Sequence, residues 1–133
     1  MAETSRVRRG RGLRWEGVPI RRYKDDPSLF KEVQRQVLLG EGEGEQALSF
    51  VVRYFEVGAG GYSTLEHHEH PHAVIVLRGR GSVRLDNETT DIAPFDCVYV
   101  APGTVHQFRG DRGETLGFLC VVDRVRDRPQ ALQ

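Results

Sequence analysis

Short apolar segments separated by glycine and proline fill residues 47–122, and this pattern limits the fold more than any other feature. Along residues 48–55 hydrophobic side chains recur at every second position, which is the period of a half-buried β-strand. Residues 73–77 are apolar throughout, as in a strand buried on both faces. Residues 115–122 predict a further strand. Strands spaced by about 8–12 residues, without a long amphipathic helix, predict an all-β sandwich or barrel.

The remaining segments add one strand, one loop and one helical turn to this prediction. Residues 33–39 fit a first strand, and the alternating glycine and glutamate of residues 40–45 favour an exposed, flexible hairpin loop. The glycines of residues 58–61 should end the second strand. Residues 23–33 carry scattered apolar side chains that fit one helical turn.

Composition indicates one globular domain. The 133 residues include 19 acidic and 19 basic side chains, so no overall charge attracts nucleic acid or an anionic membrane. Residues 1–14 carry five arginines, which predicts a flexible basic segment ahead of a single domain at residues 15–133. No apolar run of about 18 residues occurs, and the first residues lack a signal-peptide core. Cys97 and Cys120 lie in apolar segments and should be reduced, buried thiols, so we expect a cytoplasmic protein.

Histidine is concentrated in one short stretch. Four of the five histidines lie between residues 67 and 72, and the fifth is His106. Because side chains alternate along an extended chain, Glu66, His68, His70 and His72 share one face. Neutral imidazole is a common ligand of zinc, iron, nickel, copper and manganese, so several imidazoles on one face predict a metal site. His106, at the entry to another strand, can complete the set.

The spacing around these histidines resembles the first cupin motif, in which a glycine, a His-x-His pair, a further ligand and a second glycine follow at fixed intervals. Gly60 and Gly79 stand at the two glycine positions, so the motif covers residues 60–79. Glu66 and His68 stand at the His-x-His positions, and His72 takes the next ligand position. The departure from the motif is the glutamate in place of its first histidine.

Residues 95–110 resemble the second cupin motif, in which a glycine precedes Pro-x-Gly, a histidine and an asparagine. Gly103 and His106 match, whereas Phe95, Ala101 and Gly110 replace the first glycine, the proline and the asparagine. On these two motifs the chain resembles the small single-domain cupins of the manganese-containing, quercetin-dioxygenase-like type. The resemblance implies a double-stranded β-helix, or jelly roll, with the metal inside the barrel.

The resemblance also implies one divalent transition metal ion, with manganese, iron, zinc and nickel as candidates. His68, His72 and His106 are ligands in either of two alignments. In the alignment without a gap the fourth ligand is Glu66. In the other it is His70, and Glu66 orients a ligand ring through a hydrogen bond.

Two function classes are compatible with such a site. A metal-dependent enzyme could act on a small organic molecule, either as a dioxygenase or as an isomerase or lyase that polarises a carbonyl. A non-catalytic module could instead bind or sense a small ligand. No catalytic residue is assigned; Cys97 and Tyr99 could line the cavity but are expected to pack, and Arg109 near the opening is expected to be exposed. The family resemblance further suggests a homodimer.

Overall fold

The computed structural model describes residues 3, 5–12 and 14–132, and these residues form thirteen strands and one 3-10 helix at Pro27–Leu29. The strands are β1 (Gly10–Arg11), β2 (Arg14–Trp15), β3 (Arg21–Arg22), β4 (Lys31–Leu39), β5 (Phe50–Tyr62), β6 (Glu66–His67), β7 (His72–Arg78), β8 (Gly81–Leu85), β9 (Glu88–Ile92), β10 (Cys97–Val100), β11 (His106–Gly110), β12 (Leu116–Asp123) and β13 (Gln130–Ala131). The 3-10 helix is the predicted helical turn, and the Asp26 side chain caps it by accepting a hydrogen bond of 2.9 Å from the Ser28 amide. Among the described residues, no helix is long and apolar enough to cross a membrane.

Strands β3 to β13 form one antiparallel sheet that curls on itself. Its main path runs β10-β7-β12-β5-β11-β6-β13. Strand β4 joins β3 to β5, and β8 joins β9 to β11, while β1 and β2 form a separate hairpin. Because the sheet curls, one face is enclosed and the other is turned outward. The predicted all-β double-stranded β-helix is confirmed.

Strand β5 is the longest strand and runs through the glycines that were predicted to end it. It pairs with β4 on one side and with β12 on the other. Gly61 permits close approach of β4, since a Cβ there would lie 2.5 Å from the Lys31 carbonyl oxygen. The partner strand is irregular at the same place, with a register shift between Lys31 and Val33 and a φ of 57° at Glu32. The glycines therefore serve strand packing rather than chain reversal.

Strand β7 is buried on one face only, so the prediction that residues 73–77 are buried on both faces is wrong. Val74 and Val76 point into the barrel and are fully buried, whereas Ile75 between them is 42 % exposed. The apolar run thus exceeds what the core requires, because no described part of the chain covers the outer face of this strand.

The two cysteines have different environments. Cys120 on β12 is buried, as predicted, but Cys97 on β10 is exposed. Cys97 is the cross-strand partner of Ile75, and Tyr99 follows on the same outward face with 67 % of its surface exposed. Cys97 and Tyr99 therefore do not line the cavity, and the prediction of a buried Cys97 thiol is wrong.

The enclosed face carries an apolar core of aromatic and branched aliphatic side chains. Phe118 stacks on Phe55 across the β5–β12 ladder at 5.6 Å between ring centroids, and on Phe108 at 4.5 Å. Valines from several strands, among them Val57 and Val76, belong to the same core cluster as these rings. Burying each such side chain contributes about 1.5–3 kcal/mol.

The described part of the basic N-terminal segment lies against the loop of residues 40–45. Arg6 and Arg8 both pair with Glu45, and Arg8 Nε donates to the Leu38 carbonyl over 2.8 Å. Glu45 is buried, and one of its oxygens accepts from the Gly40 amide at 2.8 Å, so the predicted exposed loop is partly enclosed. Residues 1, 2, 4 and 13 lie outside the described residues, and the flexibility of the segment stays a prediction.

Two turn positions of the cupin motifs share a left-handed backbone conformation but carry different residues. Gly79 has a φ of 70°, and a Cβ there would lie 1.8 Å from the Thr115 carbonyl oxygen, so only glycine fits. Phe95, at the position of the first glycine of the second motif, has a φ of 75° and is 87 % exposed. A bulky residue in this region is strained, and Phe95 gains almost no burial in return.

Candidate metal centre and cavity

Three histidines from separate chain segments converge inside the barrel. His68 follows β6, His72 begins β7 and His106 begins β11. The pairing of β6 with β11 sets His106 opposite Glu66, and the rings of His68 and His72 stack with centroids 4.6 Å apart. One candidate ligand atom from each histidine lies within 4.8 Å of the others. These three residues could therefore hold a metal ion.

Hydrogen bonds determine which nitrogen of two of these rings carries the proton. His68 Nδ1 lies 2.6 Å from the carbonyl oxygen of His70, and His106 Nδ1 lies 2.8 Å from that of Thr104. A carbonyl oxygen only accepts, so each Nδ1 donates and each Nε2 keeps its lone pair. His68 Nε2 is buried and has no hydrogen-bond partner among the residues that the structure describes. A buried nitrogen without a partner is unfavourable, and a divalent transition metal fits it and its neighbours.

The surroundings keep these imidazoles neutral. Burial, followed by the neighbouring His70 and His106 rings, lowers the pKa of His68 to about 4. Burial also lowers the pKa of His72, with Arg53 as the next cause, and that of His106. Since only an unprotonated imidazole binds a metal ion, the three rings are in the competent state at neutral pH.

Glu66 lies between the histidines and a lysine. Its Oε2 is 3.8 Å from His68 Nε2 and 3.9 Å from His106 Nε2. Its Oε1 contacts the ammonium group of Lys24. Tyr23, the neighbour of Lys24, is buried, and burial together with Glu66 raises the pKa of its hydroxyl. Glu66 thus turns one oxygen toward the histidines while Lys24 occupies the other.

His70 is held by a residue far along the chain. Its Nδ1 lies 2.8 Å from Asp127 Oδ1, and the Glu69 amide donates to Asp127 Oδ2, also at 2.8 Å. The bond from the Glu69 amide and that from the His70 ring lower the pKa of Asp127. The His70 ring stacks on His68 with centroids 3.6 Å apart. Neither His70 nor Glu66 belongs to the group of three whose candidate ligand atoms lie within 4.8 Å of one another.

A cavity of about 570 Å³ opens beside the histidines. This volume lies within the range of about 300–1,000 Å³ that is usual for small-molecule sites. Phe55, Phe108 and Phe118 supply an apolar wall, and lysine and arginine side chains supply a basic one. The cavity therefore suits a small molecule that has both apolar and anionic parts.

Cys120 brings a buried thiol into the cavity wall. Its Sγ lies 3.2 Å from His72 Nδ1 and 3.4 Å from Arg53 Nη2. Burial raises the pKa of this thiol, and the Arg53 guanidinium acts in the opposite direction. The one buried thiol among the described residues thus touches both a candidate metal ligand and a cation.

Several residues of the site were not predicted, and one predicted neighbour lies elsewhere. Lys24 and Asp127 stand outside both motifs, in irregular segments with no periodic signal. Cys120 does lie in a segment with a periodic pattern, because inward-facing and outward-facing positions alternate along β12. Arg109, predicted near the opening, is exposed, and its guanidinium lies 5.1 Å from the Tyr62 ring centroid. It does not line the cavity.

Comparison with known proteins agrees with this architecture. A family described as the cupin domain matches residues 53–122. The 1-methylthio-D-xylulose 5-phosphate methylsulfurylase of Rhodospirillum rubrum is 47 % identical over 118 residues, which cover 88 % of this chain and 73 % of that protein.

Solved structures extend the likeness over the whole chain. A cupin-2 domain protein of Rhodospirillum rubrum has a TM-score of 0.82 at 41 % identity, covering 100 % of this chain and 83 % of the other. A cupin 2 conserved barrel domain protein of Rhodopseudomonas palustris has a TM-score of 0.83 at 44 % identity, covering 98 % and 87 %. A polyketide cyclase of Streptomyces resistomycificus has a TM-score of 0.80 at 25 % identity, covering 98 % and 86 %. This chain belongs to the cupin family.

Proposed function

We propose that this chain is a metal-dependent enzyme that removes the methylthio group from a methylthio ketose phosphate. The observation that carries the proposal is the buried thiol of Cys120, 3.2 Å from His72 in the wall of a cavity that the convergent histidines share. The 47 % identity to a methylsulfurylase supports the substrate class.

We propose Glu66 as the fourth metal ligand, beside His68, His72 and His106. Its Oε2 already lies within 4 Å of two histidine Nε2 atoms, whereas Asp127 holds His70 by the ring and the backbone. Three imidazoles and one carboxylate would leave room on the ion for a substrate oxygen. A divalent ion held there would supply a Lewis acid that polarises the ketose carbonyl.

The step assigned to Cys120 is a transfer of the methylthio group. In a 1-methylthio ketose the C1–S bond is adjacent to the C2 carbonyl. The Cys120 thiol loses its proton to solvent, and the Arg53 guanidinium stabilises the thiolate. The thiolate forms an S–S bond with the substrate sulfur, the C1–S bond breaks, and its electron pair passes to C1 and C2 as an enolate. A proton at C1 completes the deoxyketose phosphate. The thiolate of a low-molecular-weight thiol then attacks the methylthio sulfur, leaves with the methylthio group as a new disulfide, and releases the Cys120 thiolate.

Lys24 is the residue of this chain that we assign to proton delivery. Its ammonium group lines the cavity and contacts Glu66, which lies next to the histidines. An ammonium group has three protons to donate, and the buried carboxylate keeps it in place. We expect Lys24→Met to slow turnover while the metal content stays unchanged.

The two cysteines give a matched test. Purified protein is loaded with manganese, iron, zinc or nickel in turn, and consumption of 1-methylthio-D-xylulose 5-phosphate is followed with a thiol present. Cys97→Ala should behave as the unchanged protein, because Cys97 lies on the outer face. Cys120→Ala should keep its metal and lose turnover, and the methylthio adduct seen by intact mass without thiol should disappear. Full turnover by Cys120→Ala would refute the assigned step.

The other predictions from sequence have their own measurements. A dioxygenase-type reaction would consume oxygen when enol or catechol substrates are added, and a non-catalytic module would bind its ligand without turnover. Light scattering tests the predicted homodimer. The absence of nucleic-acid and membrane binding, like the cytoplasmic location, stays a prediction.

A further inference from the structure

The wall of the cavity is more basic than the charge balance of the chain suggests. Six of its side chains are lysine or arginine, and three are aspartate or glutamate. Lys24 is paired with Glu66, so one cation and one anion neutralise each other. An excess of guanidinium groups remains around the rest of the cavity.

Arg53 is the most enclosed of these cations. It is 8 % exposed and lies on β5 between Val37 of β4 and Cys120 of β12. Within the described part of the chain, its Nε is buried without a hydrogen-bond partner and its Nη2 donates only to the Cys120 sulfur at 3.4 Å. The guanidinium also lies 4.9 Å from the Phe55 ring centroid. Since a buried cation without a counter-charge is unfavourable, an anion bound in the cavity would stabilise this arrangement.

Arg35 and Arg126 add two guanidinium groups to the same cavity. Arg35 has a buried Nε without a partner, and Arg126 donates to the backbone carbonyl of Asp123 at 3.0 Å. In the described residues neither these two arginines nor Arg53 has a carboxylate within 4.0 Å. Burial, followed by the charge of Arg53, lowers the pKa of the Arg35 and Arg126 guanidinium groups, although exposed Glu41 acts in the opposite direction. The three cations repel one another when the cavity holds no anion.

We infer that Arg35, Arg53 and Arg126 bind the phosphate group of the substrate. The inference rests on the proposed function and adds the residues that recognise the anionic end. A phosphate monoester offers up to two negative charges and three terminal oxygens, which suits several guanidinium groups better than one carboxylate does.

The position of Arg53 relates the two ends of such a substrate. Its Nη2 donates to the Cys120 sulfur, while its Nε has no partner among the described residues. The guanidinium at the thiol thus belongs to the same basic wall of the cavity as Arg35 and Arg126. A five-carbon ketose can therefore place C1 at the thiol while its phosphate contacts the arginines.

The test measures binding at equilibrium and requires no turnover. Calorimetry compares D-xylulose 5-phosphate, D-xylulose, inorganic phosphate and acetate on the full chain. The phosphorylated ketose should bind at least about tenfold more tightly than D-xylulose, and phosphate more tightly than acetate. Arg35→Met and Arg126→Met should each lose about tenfold or more in affinity for both phosphate compounds. Arg80→Met, an exposed change outside the cavity, should lose nothing.

Arg53→Met needs a second measurement because the side chain is buried. It should abolish phosphate binding and leave the melting temperature of the ligand-free protein equal or higher, since repulsion among the arginines is relieved. A lower melting temperature without ligand would remove Arg53 from the anion site and make it a structural residue.

Unchanged phosphate binding in Arg35→Met and Arg126→Met would overturn the inference, as would equal binding of acetate and phosphate. Phosphate binding that depends on the arginines, in a protein that never transfers a methylthio group, would instead refute the proposed function alone.

Discussion

Acid should destabilise the metal-free protein through His68, by an amount that follows from the burial of its ring. The ordinary pKa of this group is 6.5, and burial lowers it to about 4 in the folded chain. Below about pH 6.5 the unfolded chain therefore binds a proton that the folded chain excludes. The stability contributed by the neutral ring is complete above that pH and falls as the pH falls toward 4. Between about pH 7.5 and about pH 5 the loss is about 2 kcal/mol.

Urea unfolding in the presence of a chelator measures this loss directly. His68→Gln removes the titrating ring. Over the same pH interval, the free energy of unfolding of this variant should therefore fall by about 2 kcal/mol less than that of the unchanged protein. Titrating groups that do not contact His68 contribute equally to both proteins and cancel in the comparison. His67→Gln, a neighbour outside the metal set, is the matched control and should keep the full pH dependence. Equal losses in His68→Gln and the unchanged protein would refute a buried, neutral His68.

Three further predictions concern the fourth ligand, a strained turn and the N-terminal segment. Glu66→Gln should weaken metal binding about tenfold or more, whereas His70→Ala should keep the metal. Metal analysis after dialysis distinguishes the two ligand sets, and the reverse pattern would support the four-histidine set. Phe95→Gly should raise the free energy of unfolding by about 0.5–1 kcal/mol, because the strain of a positive φ exceeds the entropy cost of glycine; a loss of stability in urea would contradict this. Deleting residues 1–10 should leave the metal content unchanged, and metal loss would tie that segment to the site.

The motif spacing was sufficient to predict that His68, His72 and His106 converge, because each of them lies at a local turn or strand end. His68 and His72 are close in sequence, and Gly103 fixes the turn that precedes His106 with a φ of 80°. The family fold then brings the two segments together. Local chain geometry and a known fold are enough for such a site.

Two other residues of the site, Arg35 and Asp127, could not be identified from local sequence patterns. Arg35 shares a strand face with Val33 and Val37, so a period of two turns it inward. A single charged residue between apolar ones belongs to no motif, so nothing in the sequence indicates that it is a site residue. Asp127 lies beyond β12 in a segment without regular structure. Its contact with His70 depends on how that segment returns across the barrel, and no sequence period encodes it.

The outward side chains were also mispredicted for a physical reason. Ile75 and Cys97 are apolar neighbours on the outer face of β7 and β10. Hydrophobicity marks a residue as suited to burial. Burial also requires another part of the chain to pack against that face, and hydrophobicity does not show whether this happens. An apolar run in a sheet is therefore weaker evidence for two buried faces than its composition suggests.

The pairing of the last strand with the middle of the chain has a consequence for how the site is made. Strand β13 pairs with β6, the Leu132 amide donates to the Leu65 carbonyl over 2.8 Å, and Asp127 holds His70. The ribosome synthesises His68, His70 and His72 before it reaches residues 127–132. Until residues 127–132 have emerged, the strand that carries Glu66 lacks one neighbour and His70 lacks its carboxylate. Metal loading should therefore follow the emergence of residues 127–132 from the ribosome.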